Sequence, residues 1–348
     1  MLESSSFDLF LFYNELIDEN KFYAILYNYS KQKVCSMKKK MPCTGLLIFL
    51  FIISISDTYA QSKYRFRVRE NTTYQDYVQS IDVPDWKGQV DEAFIRSFDG
   101  IYIPAIIAKP EKSTGKLPVI ILLFAGPRSR EQLYDQTFNR RGMLAERFSN
   151  EGYMICNTGY RAEMDETYVV PEFPAVLDHL DVMAVIEYLK RRDDVDADRI
   201  GLYGVSHGGE LICKIISEID LAGGVAVEPA NSDFLNYKRS GEGQPQIREV
   251  LKDSQIDKSF AMKSIKNINT PVVILNRTND HLTGMFKKTY LLMKEAGNQC
   301  WEWEYEHANH GFTWGPDKRD GEYKPDDIQK EAMEETVKFF NKFVKKSD

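Results

Sequence analysis

The pentapeptide Gly204-Val205-Ser206-His207-Gly208 constrains this chain more than any other stretch of it. Arg199 to Tyr203 reads as a buried strand running into it, and Gly209 to Glu218 reads as a helix leaving it. A turn that tight forces its central residue into a strained backbone conformation. The flanking glycines are then needed because strand and helix pack too closely for side chains. Strand, G-x-S-x-G and helix in immediate succession place a serine hydroxyl at the edge of a sheet. Substitution of Gly204 or Gly208 is expected to damage folding and activity together.

A free serine hydroxyl is a poor nucleophile at neutral pH, so it needs a general base and a group that orients the base. Sites of this strand–turn–helix kind carry both downstream, in the order nucleophile, acid, histidine. Asp280, just after the apolar run Val272 to Asn276, and His310, in the loop after a strand ending at Tyr305, fit that order. Glu228, after Gly223 to Val227, is the alternative acid, and otherwise reads as a hinge or a surface carboxylate. Of the five histidines, His307 is the rival to His310, which is preferred because Gly311-Phe312 follows it in a loop. His179 falls on an earlier helix, His207 is the elbow residue, and His281 adjoins the acid. The developing oxyanion needs N–H donors. The first is the backbone of His207, and a second is expected from Ala125 or Gly126, because Pro127 has no N–H.

The rest of the chain alternates as a parallel sheet demands. A hairpin, Ala93 to Phe98 and Ile101 to Ala108, turns at Asp99-Gly100. The run Pro118 to Phe124 fits a strand buried on both faces, followed by a loop from Ala125 to Tyr134. Then come a helix near Arg141 to Asn150, a strand at Tyr153 to Asn157, and a helix near Leu177 to Arg191. After the elbow, a strand at 223–227 precedes a polar stretch, Asn231 to Lys266, that reads as an inserted lid. A helix at 285–296, a strand at 300–305 and an amphipathic helix at 328–343 finish the pattern. On the last strand, Trp301, Trp303 and Tyr305 alternate with Glu302, Glu304 and Glu306, so the aromatics are expected in the core and the carboxylates toward water.

Met37 to Gln61 begins with Lys38-Lys39-Lys40, continues with the apolar run Leu46 to Ile55, and ends Thr58-Tyr59-Ala60. That is the pattern of a cleaved export leader occupying 37–60. Its apolar run of roughly ten residues is short for a membrane span. Residues 1–36 precede the leader awkwardly, as a start at Met37 would explain. Residues 61–90 read as an N-terminal extension and 91–348 as the catalytic domain, with the lid at 231–266. The net charge of −7 argues against a polyanionic partner. Cys156, Cys213 and Cys300 lack metal-ligand spacing and read as buried thiols. No metal and no cofactor is expected.

These residues resemble the catalytic domain of the prolyl oligopeptidase family and its dienelactone-hydrolase relatives. The segments FAGPRS (Phe124 to Ser129), RIGLYGVSHGG (Arg199 to Gly209) and HANHGF (His307 to Phe312) carry the resemblance, with PVVILNRTND (Pro271 to Asp280) in support. The resemblance covers residues 90 to 346 or so and implies an α/β-hydrolase fold, a mostly parallel central sheet with helices on both faces and a small lid. It carries the triad roles onto Ser206, Asp280 and His310. Two departures bear on the reaction. The dipeptidyl-peptidase branch has a tyrosine whose hydroxyl helps hold the oxyanion, where this chain has Phe124. Its members also carry a β-propeller, for which the roughly 30 residues after Ala60 leave no room. A secreted or periplasmic carboxylesterase is therefore the first expectation, acting on a small ester such as an acylated carbohydrate. A propeller-less peptidase acting on short peptides is the second, and a non-catalytic binding protein on the same fold the third. Trp314, Arg128, Arg130 and Arg161 are candidate substrate contacts, though core packing and surface ion pairs explain them as well. No nucleic-acid partner is expected, nor a membrane once the leader is removed.

Overall fold

The computed structural model describes residues 77–98, 100, 102–124, 130–139, 142–160, 178–239 and 245–345, all within the compact unit Val68–Asp348. The expected leader at 37–60, the residues before it, and Ala125, Gly126, Arg128 and Arg161 lie outside the described residues, as does the side chain of Arg130.

The strands are β1 (Tyr77–Ile81), β2 (Val90–Arg96), β3 (Tyr102–Ala108), β4 (Leu117–Phe124), β5 (Met154–Thr158), β6 (Val195–Val205), β7 (Gly223–Val227), β8 (Val272–Arg277) and β9 (Cys300–Tyr305). They form one nine-stranded sheet in the order β1-β2-β3-β5-β4-β6-β7-β8-β9. The first three strands join it antiparallel, and β5 through β9 run parallel. Every residue of β4 is buried, as an unbroken Val/Ile/Leu run requires of a strand covered on both faces.

The helices are α1 (Arg130–Phe138), α2 (Gly142–Asn150), α3 (Asp178–Lys190), α4 (His207–Ile216), α5 (Lys258–Ile265), α6 (Thr283–Glu295) and α7 (Asp327–Phe340). One sheet face presents Ile120, Leu122, Tyr203, Val225 and Val273 to Leu133, Phe148, Val337 and Phe340, which belong to α1, α2 and α7. The opposite face receives α4, which lies against Leu123 and Gly224. α6 shares that face, for Lys287 reaches Glu304 at 2.8 Å. On β9, Trp301 and Trp303 pack edge-on against Phe339 of α7. The alternating carboxylates are not simply solvated: Glu302 accepts from Asn276 at 2.7 Å and Glu304 pairs with Lys287.

Three expectations need correction. β1 pairs with β2 (Tyr77↔Phe94), so the sheet begins inside the segment read as an extension before residue 91. α1 starts at Arg130, within the stretch expected to be loop. The insertion is largely packed: Phe234, Leu235, Ile247, Leu251 and Ile256 are buried, and α5 is capped by Asp257 accepting from Phe260 N at 2.9 Å. Its backbone is also tied to the chain beside Asp280, through Ile247 N to His281 O at 2.6 Å and Gly284 N to Ile247 O at 2.7 Å.

Candidate active site

β6 lies at the centre of the sheet, between β4 and β7, where the chain's winding reverses. Ligands of open α/β sheets bind outside the strand C-termini at such a switch point, and there the chain turns at Ser206. Its φ of 58° and ψ of −116° are strained for a residue with a side chain. The conformation is held by Ser206 N donating to Val227 O at 2.9 Å and by Glu210 N and Ala230 N both donating to Ser206 O at 3.1 Å. A Cβ at Gly208 would stand 2.0 Å from Leu123 O, and one at Gly204 would stand 2.5 Å from Gly208 O. Both glycines are required by close approach of backbone. His207 is the first residue of α4, so its N–H lies outside the intrahelical ladder and points toward the helix's N-terminal side.

Asp280 and His310 are brought together, in company that the sequence did not announce. His310 Nδ1 is hydrogen-bonded to Asp280 Oδ2 at 3.0 Å. Glu228 Oε2 lies 2.6 Å from the same nitrogen. Glu228 and Asp280 had been alternatives; the structure places both carboxylates, fully buried, against one imidazole. Arg277 spans the two, donating from Nε to Glu228 Oε1 at 3.1 Å and from Nη2 to Asp280 Oδ2 at 2.6 Å. It also donates to His307 O at 3.3 Å and Ala308 O at 3.1 Å, which ties down the loop carrying His310. Arg277 was missed at the sequence level, although an arginine ending an apolar strand three residues before the candidate acid is a readable signal.

The remaining histidines have partners of their own. His307 stacks on Phe312, its Nδ1 accepts from Asn309 N at 3.0 Å, and its Nε2 faces Asp326 at 3.0 Å. His179 pairs with Glu218 and His281 with Asp280 Oδ1. The His207 ring faces Asp178 at 3.0 Å and Glu210 at 3.7 Å, with Tyr160 edge-on above it. Trp314 packs edge-on against buried Phe124, with ring centroids 5.2 Å apart, and helps line a cleft of about 360 Å³ beside His307 and His310. Ser206 does not line that cleft. Cys156, Cys213 and Cys300 are buried free thiols, and burial pushes the first and last up to about 12. Such thiols are inert as nucleophiles at neutral pH. Glu228, Asp280 and His310 each offer a ligand atom within 4.8 Å of the others. The Arg277 guanidinium already supplies the positive charge that a cation would bring to the two carboxylates.

Electrostatics follow from this geometry. Asp280, with Glu228, raises His310 from 6.5 to about 9 against the opposing effect of burial. Burial acts to raise Asp280, but the hydrogen bonds from His310 and the Leu282 N–H outweigh it and lower the carboxyl to about 2. Burial acts to lower His207 too, but Asp178 and Glu210 outweigh it and lift the ring to about 9. A histidine raised on folding stabilises the fold fully below its unfolded value, and that contribution is lost as pH rises through its folded one. The melting temperature is therefore expected to fall between pH 6.5 and pH 9, with part of the slope removed by His310→Gln and part by His207→Gln. Unchanged slopes in both variants would refute the assignment.

The sheet order, the switch-point serine and the helices on both faces define an α/β-hydrolase fold. Within it, residues 106–216 match the BD-FAE family model. No curated protein matches the chain. Among solved structures, an esterase of Pyrococcus furiosus superposes with a TM-score of 0.53 at 17% identity, over 77% of this chain and 98% of that one. A Klebsiella pneumoniae protein assigned as a dienelactone hydrolase gives 0.52 at 18%, over 77% and 100%. The acylaminoacyl peptidase of Pyrococcus horikoshii gives 0.52 at 17%, over 81% of this chain but 44% of that one, so this chain matches less than half of the peptidase. At these identities the likeness is one of fold.

Proposed function

We propose that this chain is an exported serine hydrolase that cleaves a carboxylic ester through an acyl-enzyme. The observation that carries the reading is Ser206 held at φ 58° on the turn after the central strand, with a carboxylate-bound histidine at the same sheet edge. In this scheme His310 Nε2 takes the Ser206 proton as Oγ attacks the acyl carbonyl, and its Nδ1–H stays on Asp280. The His207 N–H holds the oxyanion, with Ala125 or Gly126 as the second donor. His310 then protonates the departing alcohol, and water, activated by the same nitrogen, releases the acid.

Ester is favoured over amide because Phe124 is fully buried against Trp314 and brings no hydroxyl to the oxyanion. Export rests on the leader pattern at 37–60. The test pairs a fluorophosphonate probe with substrates. The purified chain is expected to be labelled at Ser206 and to turn over short p-nitrophenyl esters at least about tenfold more efficiently than dipeptidyl anilides. Absence of labelling overturns the serine hydrolase, and equal efficiency on the anilides overturns the ester preference.

A further inference from the structure

The Glu228 side chain is fully buried, and each of its oxygens is spoken for. Oε1 accepts from Arg277 Nε at 3.1 Å. Oε2 accepts from Gly311 N at 2.7 Å and lies 2.6 Å from His310 Nδ1. A carboxylate present only to neutralise Arg277 would need the first contact alone. The second oxygen is aimed at the histidine and at the N–H of the residue after it.

The backbone at Glu228 is strained as well. Its φ is 45°, in the left-handed region that residues with side chains seldom occupy. The conformation is pinned by Glu228 N donating to Leu275 O at 2.7 Å. The same short turn carries Val227 O and Ala230 N, which hold the backbone of Ser206 at 2.9 and 3.1 Å. One turn thus fixes the candidate nucleophile through its backbone and reaches the candidate base through its side chain. Strain of this kind persists where surrounding structure over-determines it, and it clusters at functional sites.

Charge supplies the reason for a second carboxylate. The groups facing the His310 ring are Glu228 from the end of β7, Arg277 and Asp280 from the end of β8, and His281 beside them, its ring 6.4 Å away. With neutral imidazole, the two carboxylates and one guanidinium carry one net negative charge. With imidazolium the cluster is neutral. Balance is therefore reached in the state the histidine occupies after taking a proton from the serine, which is where a preorganised site lowers the barrier.

We propose that Glu228 is a second carboxylate positioning residue of the catalytic histidine, sharing with Asp280 the stabilisation of the His310 imidazolium. The inference rests on the serine-hydrolase reading for its kinetic consequence but not for its electrostatic one. Asp280 is the directional acceptor of the Nδ1–H bond, and Glu228 is the second negative charge that strengthens the base. Loss of Asp280 alone then leaves a histidine that is still paired.

The test titrates the His310 imidazole by NMR in the full chain, as wild type, Glu228→Gln, Glu228→Asp and Asp280→Asn, beside pH profiles of kcat/KM on p-nitrophenyl acetate. In Glu228→Gln the imidazole is expected to titrate closer to its ordinary value, about 6.5. The acid limb of kcat/KM moves down with it, and Glu228→Asp restores part of the wild-type profile. In Asp280→Asn the imidazole still titrates well above 6.5, and kcat/KM falls about 10- to 100-fold, less than the roughly 10⁴-fold expected when a lone orienting acid is lost. A titration in Glu228→Gln that superposes on wild type overturns the proposal. If that variant does not fold, an ordinary titration in Asp280→Asn overturns it instead. A wild-type chain that neither hydrolyses the ester nor reacts with the fluorophosphonate overturns the proposed function alone, because the titrations still decide the pairing.

Discussion

Ser206→Ala lowers kcat on p-nitrophenyl acetate by an expected 10⁴- to 10⁶-fold or so, while the protein stays folded. The size follows from what remains. Without Oγ no acyl-enzyme forms, and the surviving His207 N–H still polarises a bound carbonyl, so a residual rate of about 10³–10⁴ over water is anticipated. Stability changes little because nothing is orphaned: the Ser206 hydroxyl makes no hydrogen bond among the described residues, whereas its backbone N and O, which keep their partners, make three. Alanine carries the same Cβ into φ 58° that serine does, so the strain of the turn is unchanged. Steady-state kinetics with a thermal melt on the same sample separate the two effects. Turnover that survives in a folded Ser206→Ala variant would remove Ser206 from the mechanism.

The elbow was legible because its determinants are local. Two glycines are forced by backbone approaches within five residues of the serine and by β4 next door, and an unbroken apolar run announces β4 itself. The elements that escaped are specified by partners distant in sequence. β1 is a five-residue edge strand with Val78 exposed, and it is a strand because β2 offers a free edge to pair with. α1 has almost no amphipathic pattern, and its sequence, Arg-Glu-Gln-Leu-Tyr-Asp-Gln-Thr-Phe, buries only selected positions such as Leu133, Thr137 and Phe138. α5 did have a local signal, Asp257 three residues before the amide it caps. It was hidden by the charge and by the glycine and proline content of the stretch around it.

The site shows the same division. Chain order nominated Ser206, Asp280 and His310, and it also set Glu228 against Asp280 as though one had to be chosen. That choice dissolves once β7 and β8 are neighbours in register, Val227 opposite Leu275. The residues following both strand ends then arrive at one place, and Arg277 lies between them. Adjacency of strands is a property of topology, and spacing along the chain does not contain it. His207 was read for its N–H alone; its ring pairs with Asp178, which is 29 residues away.

Arg277→Met is expected to destabilise the fold by about 3–5 kcal/mol, the cost of removing one partner from a buried ionic cluster. The guanidinium is nearly buried, and it touches two fully buried carboxylates and two carbonyls of the His310 loop. Methionine fills much of the same volume and returns none of the four hydrogen bonds. Glu228 and Asp280 would then face each other across His310 with one negative charge uncompensated, even with the imidazole protonated. A proton shared by the carboxylates is the obvious replacement, so their apparent pKa in the variant rises above the unfolded value. Stability gained by such a proton is fully present below the unfolded pKa and is lost as pH rises through the folded one. The deficit measured by urea denaturation should therefore be smaller at pH 5 than at pH 8, as a shift in midpoint with the slope preserved. Arg277→Lys recovers only part of it, because a compact ammonium cannot span both carboxylates as the planar fork does. A deficit that is equal at the two pH values would mean that the arginine acts through its loop carbonyls and not through the carboxylate pair.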